Sequence, residues 1–326
     1  MDKYSEIVLI TGVAGFIGSN VLVKMVKKYP EYKFIGIDKF SYCSTDRNFE
    51  EISTFDNFKF IKADICDFNF MVYLFQNYKI TIVMNFAAYT HVDQSFGNSI
   101  IFTKNNVIGT HTLLEASQST DTYLKKFIHV STDEVYGSQD TKSTEKSTLD
   151  PTNPYAATKA AAEHLVRSYH HSFKTPIIIT RGNNVYGPKQ YPEKVVPNFI
   201  TKLSNNEKCS IHGSGTQLRS FLYIDDVVDA FDLIFHKGII GETYNIGCNS
   251  EHSILSVAEN ILDIMKPGEE FEKWFEHVKD RNFNDHRYYI STEKLEKLGW
   301  KPKVFFKEGI LKTIEWYICH PHYWNI

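Results

Sequence analysis

The chain has 326 residues, 42% of them hydrophobic, and a net charge of −3. At roughly 150 residues per domain, this length allows two domains or one large one. The near-balanced charge excludes a global basic field for nucleic acid or anionic membrane, and the longest apolar stretches, such as residues 80–88, are too short and too polar to span a bilayer.

The first half alternates strand-like and helix-like segments. Residues 7–11 form an apolar run, and residues 16–28 carry apolar side chains at helical spacing. Residues 34–38 are a second apolar run ending in an acid; 58–63 read as a strand and 68–78 as a helix. Residues 80–88 read as a buried strand entering a loop, 102–117 as a helix that tolerates Gly109, and 127–131 as a strand. A helix over 155–173 opens behind Pro154, a favoured place for proline, and 177–181 are a strand. This alternation predicts an α/β fold: a Rossmann-type doubly wound parallel sheet. After about residue 183 the rhythm loosens, with short helices expected at 195–203, 227–236 and 254–265 and an acidic, mobile stretch at 266–276. The expected division is a nucleotide-binding domain, 1–183, followed by a smaller, partly interleaved α/β substrate domain, 184–326.

The N-terminal six residues carry acids and lead straight into a strand-like run, so no signal peptide is expected. Cys43, Cys66, Cys209, Cys248 and Cys319 form no CxxC pair and read as reduced thiols of a cytoplasmic protein. The 13 histidines show no zinc spacing, so no metal is expected.

Gly12, Gly15 and Gly18 form GxxGxxG between the first strand and the first helix. Such a turn lets backbone amides and the helix N-terminus approach a pyrophosphate. Asp38 ends the second strand, 20 residues beyond Gly18, where a carboxylate binds the ribose diol and repels a 2′-phosphate; this points to NAD. Asp64, at the end of the third strand, is either an adenine contact or a loop cap.

Tyr155 and Lys159 stand four residues apart on one helix face. A phenol with a pKa of about 10 is a poor base at neutral pH, but a neighbouring ammonium and a cationic nicotinamide favour its phenolate. Taken alone, such a pair is commonly a packed Tyr beside a solvated Lys. Thr132, Asp133 and Glu134 follow the strand at 127–131, at the crevice edge of an open sheet. Thr132 can bond a substrate hydroxyl. Two adjacent, partly desolvated carboxylates split their pKa values and can serve as acid and base, although a plain turn or cap pair has the same sequence.

These motifs, with Asn183-Asn184-Val185-Tyr186-Gly187-Pro188, Pro192-Glu193-Lys194 and Arg219-Ser220-Phe221, resemble the nucleotide-sugar 4,6-dehydratases of the extended short-chain dehydrogenase/reductase superfamily from about residue 7 to residue 316. Residues 91–99, 180–184 and 281–288 resemble the dehydratase portion of plant-type rhamnose synthases, which act on UDP-glucose. Arg281 is retained, but Asn282-Phe283-Asn284 replace the Pro-Gly-His of bacterial dTDP-glucose enzymes.

The resemblance implies oxidation at C4 of the glucose with Tyr155 as base, helped by Lys159 and Thr132. It further implies C5 proton removal by Glu134, protonation of the leaving C6 hydroxyl by Asp133, and a recycled NAD. It assigns Phe16, Ile17, Lys39, Ile65, Ala87, Ala88 and Asn184 to the cofactor beside the residues above. It assigns Thr90, Asn183, Lys194, Arg219, Asn245 and Arg281 to the sugar diphosphate, where cations suit the charge. It also implies a homodimer built on the helices at 102–117 and 155–173; because the chain ends at residue 326, soon after this pattern, the later epimerase and reductase of rhamnose synthesis are expected on a separate protein. A 4-epimerase or decarboxylase of the same fold, and an NAD-bound regulatory protein, are the competing readings. Asp133 and Glu134 count against the epimerase, which needs no C5 base.

Overall fold

Apolar, β-branched runs separated by amphipathic helices give a sheet that must be covered on both faces. The computed structural model describes residues 3–121, 123–280 and 283–324, so Arg281 and Asn282, expected at the nucleotide, lie outside the described residues. The strands are β1 (Glu6–Thr11), β2 (Tyr32–Asp38), β3 (Phe58–Lys62), β4 (Ile82–Asn85), β5 (Lys126–Thr132), β6 (Ile177–Gly182), β7 (Asn184–Tyr186), β8 (Cys209–His212), β9 (Leu218–Tyr223), β10 (Thr243–Ile246), β11 (Glu251–Ser253) and β12 (Phe275–Val278). The helices are α1 (Phe16–Lys28), α2 (Phe68–Tyr78), α3 (Val92–Gly97), α4 (Ser99–Phe102), α5 (Gly109–Gln118), α6 (Pro154–Phe173), α7 (Val195–Ser204), α8 (Ile224–Lys237), α9 (Ile254–Met265), α10 (Phe271–Trp274), α11 (Glu293–Lys297) and α12 (Phe306–Cys319).

Seven strands form one sheet in the order β10-β6-β5-β4-β1-β2-β3, with parallel pairing throughout. The chain reverses direction across the sheet between β1 and β4, and in such sheets the crevice for a ligand opens at that switch, outside the strand carboxyl ends. Apolar side chains cover both faces: Val8 and Ile10 of β1 join one core cluster, and Leu9 joins the other. Fully burying each such side chain contributes about 1.5–3 kcal/mol.

Local signals place the site helices. Gly15 occupies the N-cap of α1, with Lys27 and Lys28 in its last turn, where cations complement the helix dipole. Asn153 caps α6 by accepting the Ala156 amide at 2.9 Å, and Pro154 is its first residue.

Three differences from the sequence reading have physical causes. The helix expected at 102–117 begins earlier, at Ser99, and contains a π-helical stretch over Thr103–Ile108, which turns Asn105 and Asn106 inward. The stretch expected to be mobile, 266–276, instead carries α10 and β12, and β12 pairs with β8. Trp274 and Phe275 are buried there, and the Phe275 ring stands 5.2 Å from Phe199; those aromatics outweigh the acids around them. The half after residue 183 also holds more strand than expected. β7, β9 and β11 make a small sheet, while β10 returns to pair with β6 in the main sheet.

Among the described residues, no helix is long and apolar enough to cross a membrane, and no group of three or more His, Cys, Asp or Glu side chains is placed to hold a metal ion.

Candidate active site

A cavity of about 670 Å³ runs along the carboxyl ends of β1, β2, β4, β5 and β6 and continues between α7, β9 and the segment before residue 288. Its cofactor end is made largely of backbone. Gly12 has φ +72°, and a Cβ there would lie 2.8 Å from the Ala87 amide nitrogen. A Cβ on Gly18 would lie 2.4 Å from the Gly12 carbonyl oxygen. Strand end and helix start therefore touch, which only glycine permits. At Gly15 a Cβ would lie 3.3 Å from the Gly12 carbonyl oxygen, so this position is tight as well.

Asp38 stands at the end of β2. Its Oδ2 accepts the Ala14 amide at 3.0 Å and its Oδ1 the Phe40 amide at 2.8 Å. Burial raises its pKa, and the two amides hold the carboxylate in place. Lys39 bonds Asn105 at 2.7 Å and Asp64 at 3.3 Å, with its ammonium 5.0 Å from the centre of the Tyr89 ring. Asp64 also accepts the Cys66 amide at 2.9 Å, so it caps the loop while lining the cavity. Phe16, Ile17, Ile65, Ala87, Ala88 and Asn184 line the same space. A glycine cradle, a helix N-terminus and a fixed carboxylate at the second strand suit an unphosphorylated adenosine ribose and a pyrophosphate.

The chemistry end is built from β5 and α6. Tyr155 and Lys159 both line the cavity and are nearly buried. Lys159 donates to the Val130 carbonyl oxygen at 2.6 Å, and burial pulls its pKa down to about 8. Burial, then the charge of Glu134, pushes the Tyr155 phenol upward, opposed by its bond to Thr132. The protein alone thus keeps the phenol protonated, and a cation brought in beside it is needed to release the proton. Thr132 caps the turn that follows β5, accepting the Glu134 amide at 3.3 Å and donating to Asp133 at 3.2 Å.

The two adjacent carboxylates occupy different places. Glu134 faces the cavity, and its Oε2 accepts from Asn153 at 3.0 Å. Burial raises its pKa against the pull of Asn153, Arg219 and Lys194. Asp133 is set one layer deeper and does not itself line the cavity. Its Oδ2 accepts from Asn183 at 2.6 Å, and burial together with the Glu134 charge raises it to about 7. Asn183 is fixed in turn because its Oδ1 accepts the Cys248 amide at 3.1 Å.

Most of the residues expected at the sugar diphosphate gather at the third side. Lys194 stands at the N-terminal boundary of α7 and donates to the Thr90 carbonyl at 2.9 Å, and both line the cavity. Arg219 donates to the carbonyls of Leu218 at 2.8 Å and Asp285 at 2.7 Å, and lies 4.5 Å over the Tyr288 ring. Asn245 is a correction. It is fully buried on β10, accepts from Tyr136 at 2.8 Å and donates to Ser291 at 3.0 Å. Its side chain serves the packing behind α6, where Arg181 and Glu163 form a buried ion pair, and it has no access to the cavity.

Sequence reasoning missed Asn153, Asp285 and Tyr288. The first was legible, since an Asn before Pro154 is a helix cap pointing at whatever lies above the helix start. Asp285 and Tyr288 lie in the 281–288 stretch that carries the resemblance, but nothing local points them at Glu134, which they reach only through the return of the chain after β12.

A profile of the GDP-mannose 4,6 dehydratase family matches residues 9–313. The chain is 51% identical to the dTDP-D-glucose 4,6-dehydratase of Bos taurus, over 99% of this chain and 92% of that protein. It is 47% identical to a trifunctional UDP-glucose 4,6-dehydratase/3,5-epimerase/reductase of Arabidopsis thaliana, over 98% of this chain but 48% of that longer protein. The structure of dTDP-glucose 4,6-dehydratase from Streptomyces venezuelae, with NAD bound, superposes with a TM-score of 0.93 at 34% identity, covering 98% of this chain and 99% of that one. A glycine cradle, the Tyr155–Lys159 pair, Thr132 and Glu134 line one cavity with Asp133 directly behind them, and with these matches the chain belongs to the GDP-mannose 4,6 dehydratase family of the extended short-chain dehydrogenase/reductase fold.

Proposed function

We propose that this chain is a nucleoside-diphosphate-glucose 4,6-dehydratase acting on UDP-glucose or dTDP-glucose. One observation carries the reading: a cavity-facing carboxylate, Glu134, stands next to Tyr155 and a second carboxylate, Asp133, raised to about 7. A 4-epimerase needs the tyrosine but neither acid.

Gly12, Gly15, Gly18 and Asp38 would hold NAD, which when bound would accept the hydride from C4, lend its cationic ring to the site and return the hydride to C6. Tyr155 takes the proton of the C4 hydroxyl, with the Thr132 hydroxyl bonded to it and Lys159 one turn further along α6. The C4 ketone makes the C5 proton acidic, and Glu134 removes it. Asp133, raised to about 7 and so still partly protonated at neutral pH, supplies the proton on which the C6 hydroxyl leaves as water. Its carboxyl touches Asn183 and Thr132, which both line the cavity, so the C6 oxygen must come to that edge. Lys194 and Arg219 hold the diphosphate.

The same proposal divides the chain at about residue 183, with β10 returning to the cofactor part. It makes the protein a homodimer, because Ile100, Ile101, Ile108 and Phe173 are exposed on the rod Ser99–Gln118 and on α6, and exposed apolar patches mark association surfaces. It places the protein in the cytoplasm, consistent with free thiols at all five cysteines.

Mass spectrometry with NAD and equal UDP-glucose and dTDP-glucose tests the activity. Loss of one water from either sugar nucleotide is the expected result, and the sugar consumed first identifies the base preference. An unchanged mass in both, with interconversion to the galactose isomer, turns the assignment to an epimerase.

A further inference from the structure

The cavity wall contains a carboxylate that the steps above do not use. Asp285 is 3% exposed and lines the cavity. Its Oδ2 accepts from the Thr152 hydroxyl at 2.6 Å and from the Tyr288 hydroxyl at 2.5 Å. Its Oδ1 is buried with no hydrogen-bond partner among the described residues. The Tyr288 hydroxyl also stands 3.4 Å from Glu134 Oε2.

A phenol has one proton to donate, and two carboxylates compete for it here. The distances award it to Asp285, since O–H bonds to a carboxylate run at roughly 2.5–2.7 Å. The Tyr288 oxygen therefore turns lone pairs, not a proton, toward Glu134. Burial and the charge of Glu134 both hold the Tyr288 phenol protonated. Asn153 remains as a donor to Glu134.

We infer that Asp285 is a positioning residue for Glu134: by taking the Tyr288 proton it makes Glu134 face an acceptor, which strengthens Glu134 as the base for C5. This rests on the dehydratase reading. In the step concerned, the C5–H bond breaks and its electron pair enters the C5–C4 bond, giving the enolate of the C4 ketone. The proton goes to Glu134, and the new Glu134 O–H donates to the waiting Tyr288 oxygen. Nothing is oxidised or reduced. Asp285 thus stabilises the protonated product of the step through an intervening hydroxyl.

Asp285→Asn supplies an N–H₂ that donates to the Tyr288 oxygen, so Tyr288 turns its proton to Glu134 and favours the carboxylate. The other groups facing Glu134 (Asp133, Asn153, Tyr155, Lys194 and Arg219) stay unchanged. The measurement is solvent deuterium uptake at C5, with the kcat–pH profile, for wild type, D285N, Y288F and the double variant. Slower uptake in D285N, by about 10-fold, with the acid limb moved down by about one pH unit, is the expected result. The double variant is expected to match Y288F, because Asp285 acts through that hydroxyl.

A wild-type rate and limb in D285N overturn the assignment. So does a lowered rate with the limb unmoved and the two losses additive, which marks a structural residue. If D285N fails to fold, Y288F, which leaves the Asp285–Thr152 bond in place, must shift the limb in the same direction; an unmoved limb overturns the inference. A wild-type protein inactive on both sugar nucleotides overturns the dehydratase reading and this one with it. An active wild type with an unaltered D285N overturns this one alone.

Discussion

The two ends of the cavity are built by different means. At the cofactor end the recognising groups are backbone amides and one carboxylate, set by a turn of seven residues and the next strand end. At the sugar end the groups are side chains from β5, α6, β9, the 183–194 loop and the segment around Asp285, which meet only after the sheet has closed. The first is rigid because atoms touch there: an added Cβ on Gly18 has 2.4 Å to the Gly12 oxygen. The second is held by a hydrogen-bond network, with Asn183 on Asp133, Asn153 on Glu134 and Thr152 on Asp285. Steric contact fails all at once, whereas a network can lose a member and keep its shape.

Substitutions that separate chemistry from cofactor binding test this contrast, and the largest effect is expected at the sugar end. Glu134→Gln removes the proposed C5 base without altering the glycine turn. Water loss is expected to fall by about 10³-fold, with NAD affinity measured by calorimetry unchanged. A variant that still takes up solvent deuterium at C5 at the wild-type rate would falsify the base assignment. Tyr155→Phe is expected to stop the reaction earlier, with no oxidation at C4, and the absence of a cofactor absorbance change on mixing with substrate checks it.

At the cofactor end, Gly18→Val should give the opposite pattern. The turn cannot close on the Gly12 carbonyl, so NAD binding and thermal stability fall together, by about 3 kcal/mol or more in folding free energy. Retention of wild-type NAD affinity would show that the turn is less tightly closed than its contacts indicate. Asp38→Asn is milder. It removes the charge that repels a 2′-phosphate and is expected to narrow the preference for NAD over NADP by about 10-fold, checked by competitive binding.

The smallest effect concerns stability and pH. Asp133 is raised to about 7 in the folded protein, well above an unfolded carboxyl. Between those two values the folded state binds the extra proton, so this group makes the protein less stable as pH rises toward 7, and its cost is fully present above that. Asp133→Asn removes the cost. Its melting temperature should exceed wild type by ~5 °C at pH 8 and by little at pH 5. An equal shift at both values would assign the effect to packing.

The cofactor end was legible because its determinants are short-range. The spacing of Gly12, Gly15, Gly18 and Asp38 named the turn, and the helices 16–28 and 68–78 fell where their apolar periodicity put them. Tyr155 and Lys159 were legible for the same reason, four residues apart on one helix. Asn245 was misplaced because a β-strand side chain points to one face or the other by register, and its pairing with Arg181 turns it into the core. The stretch 266–276 was misread because its acids are visible in sequence, while the Phe199 ring that Phe275 packs against is not.

By itself, the sequence determined the parallel sheet, the dinucleotide turn and the identity of the groups that can carry protons, since periodicity, glycine freedom and side-chain type act within a few turns of chain. Tertiary structure alone decided which carboxylate faces the cavity, which lies behind it, and where the Tyr288 proton points. Tyr288 and Glu134 are 154 residues apart in sequence and meet at 3.4 Å. Proton affinity depends on burial and on the donors or acceptors within a few ångströms, and those neighbours exist only once distant segments have packed together.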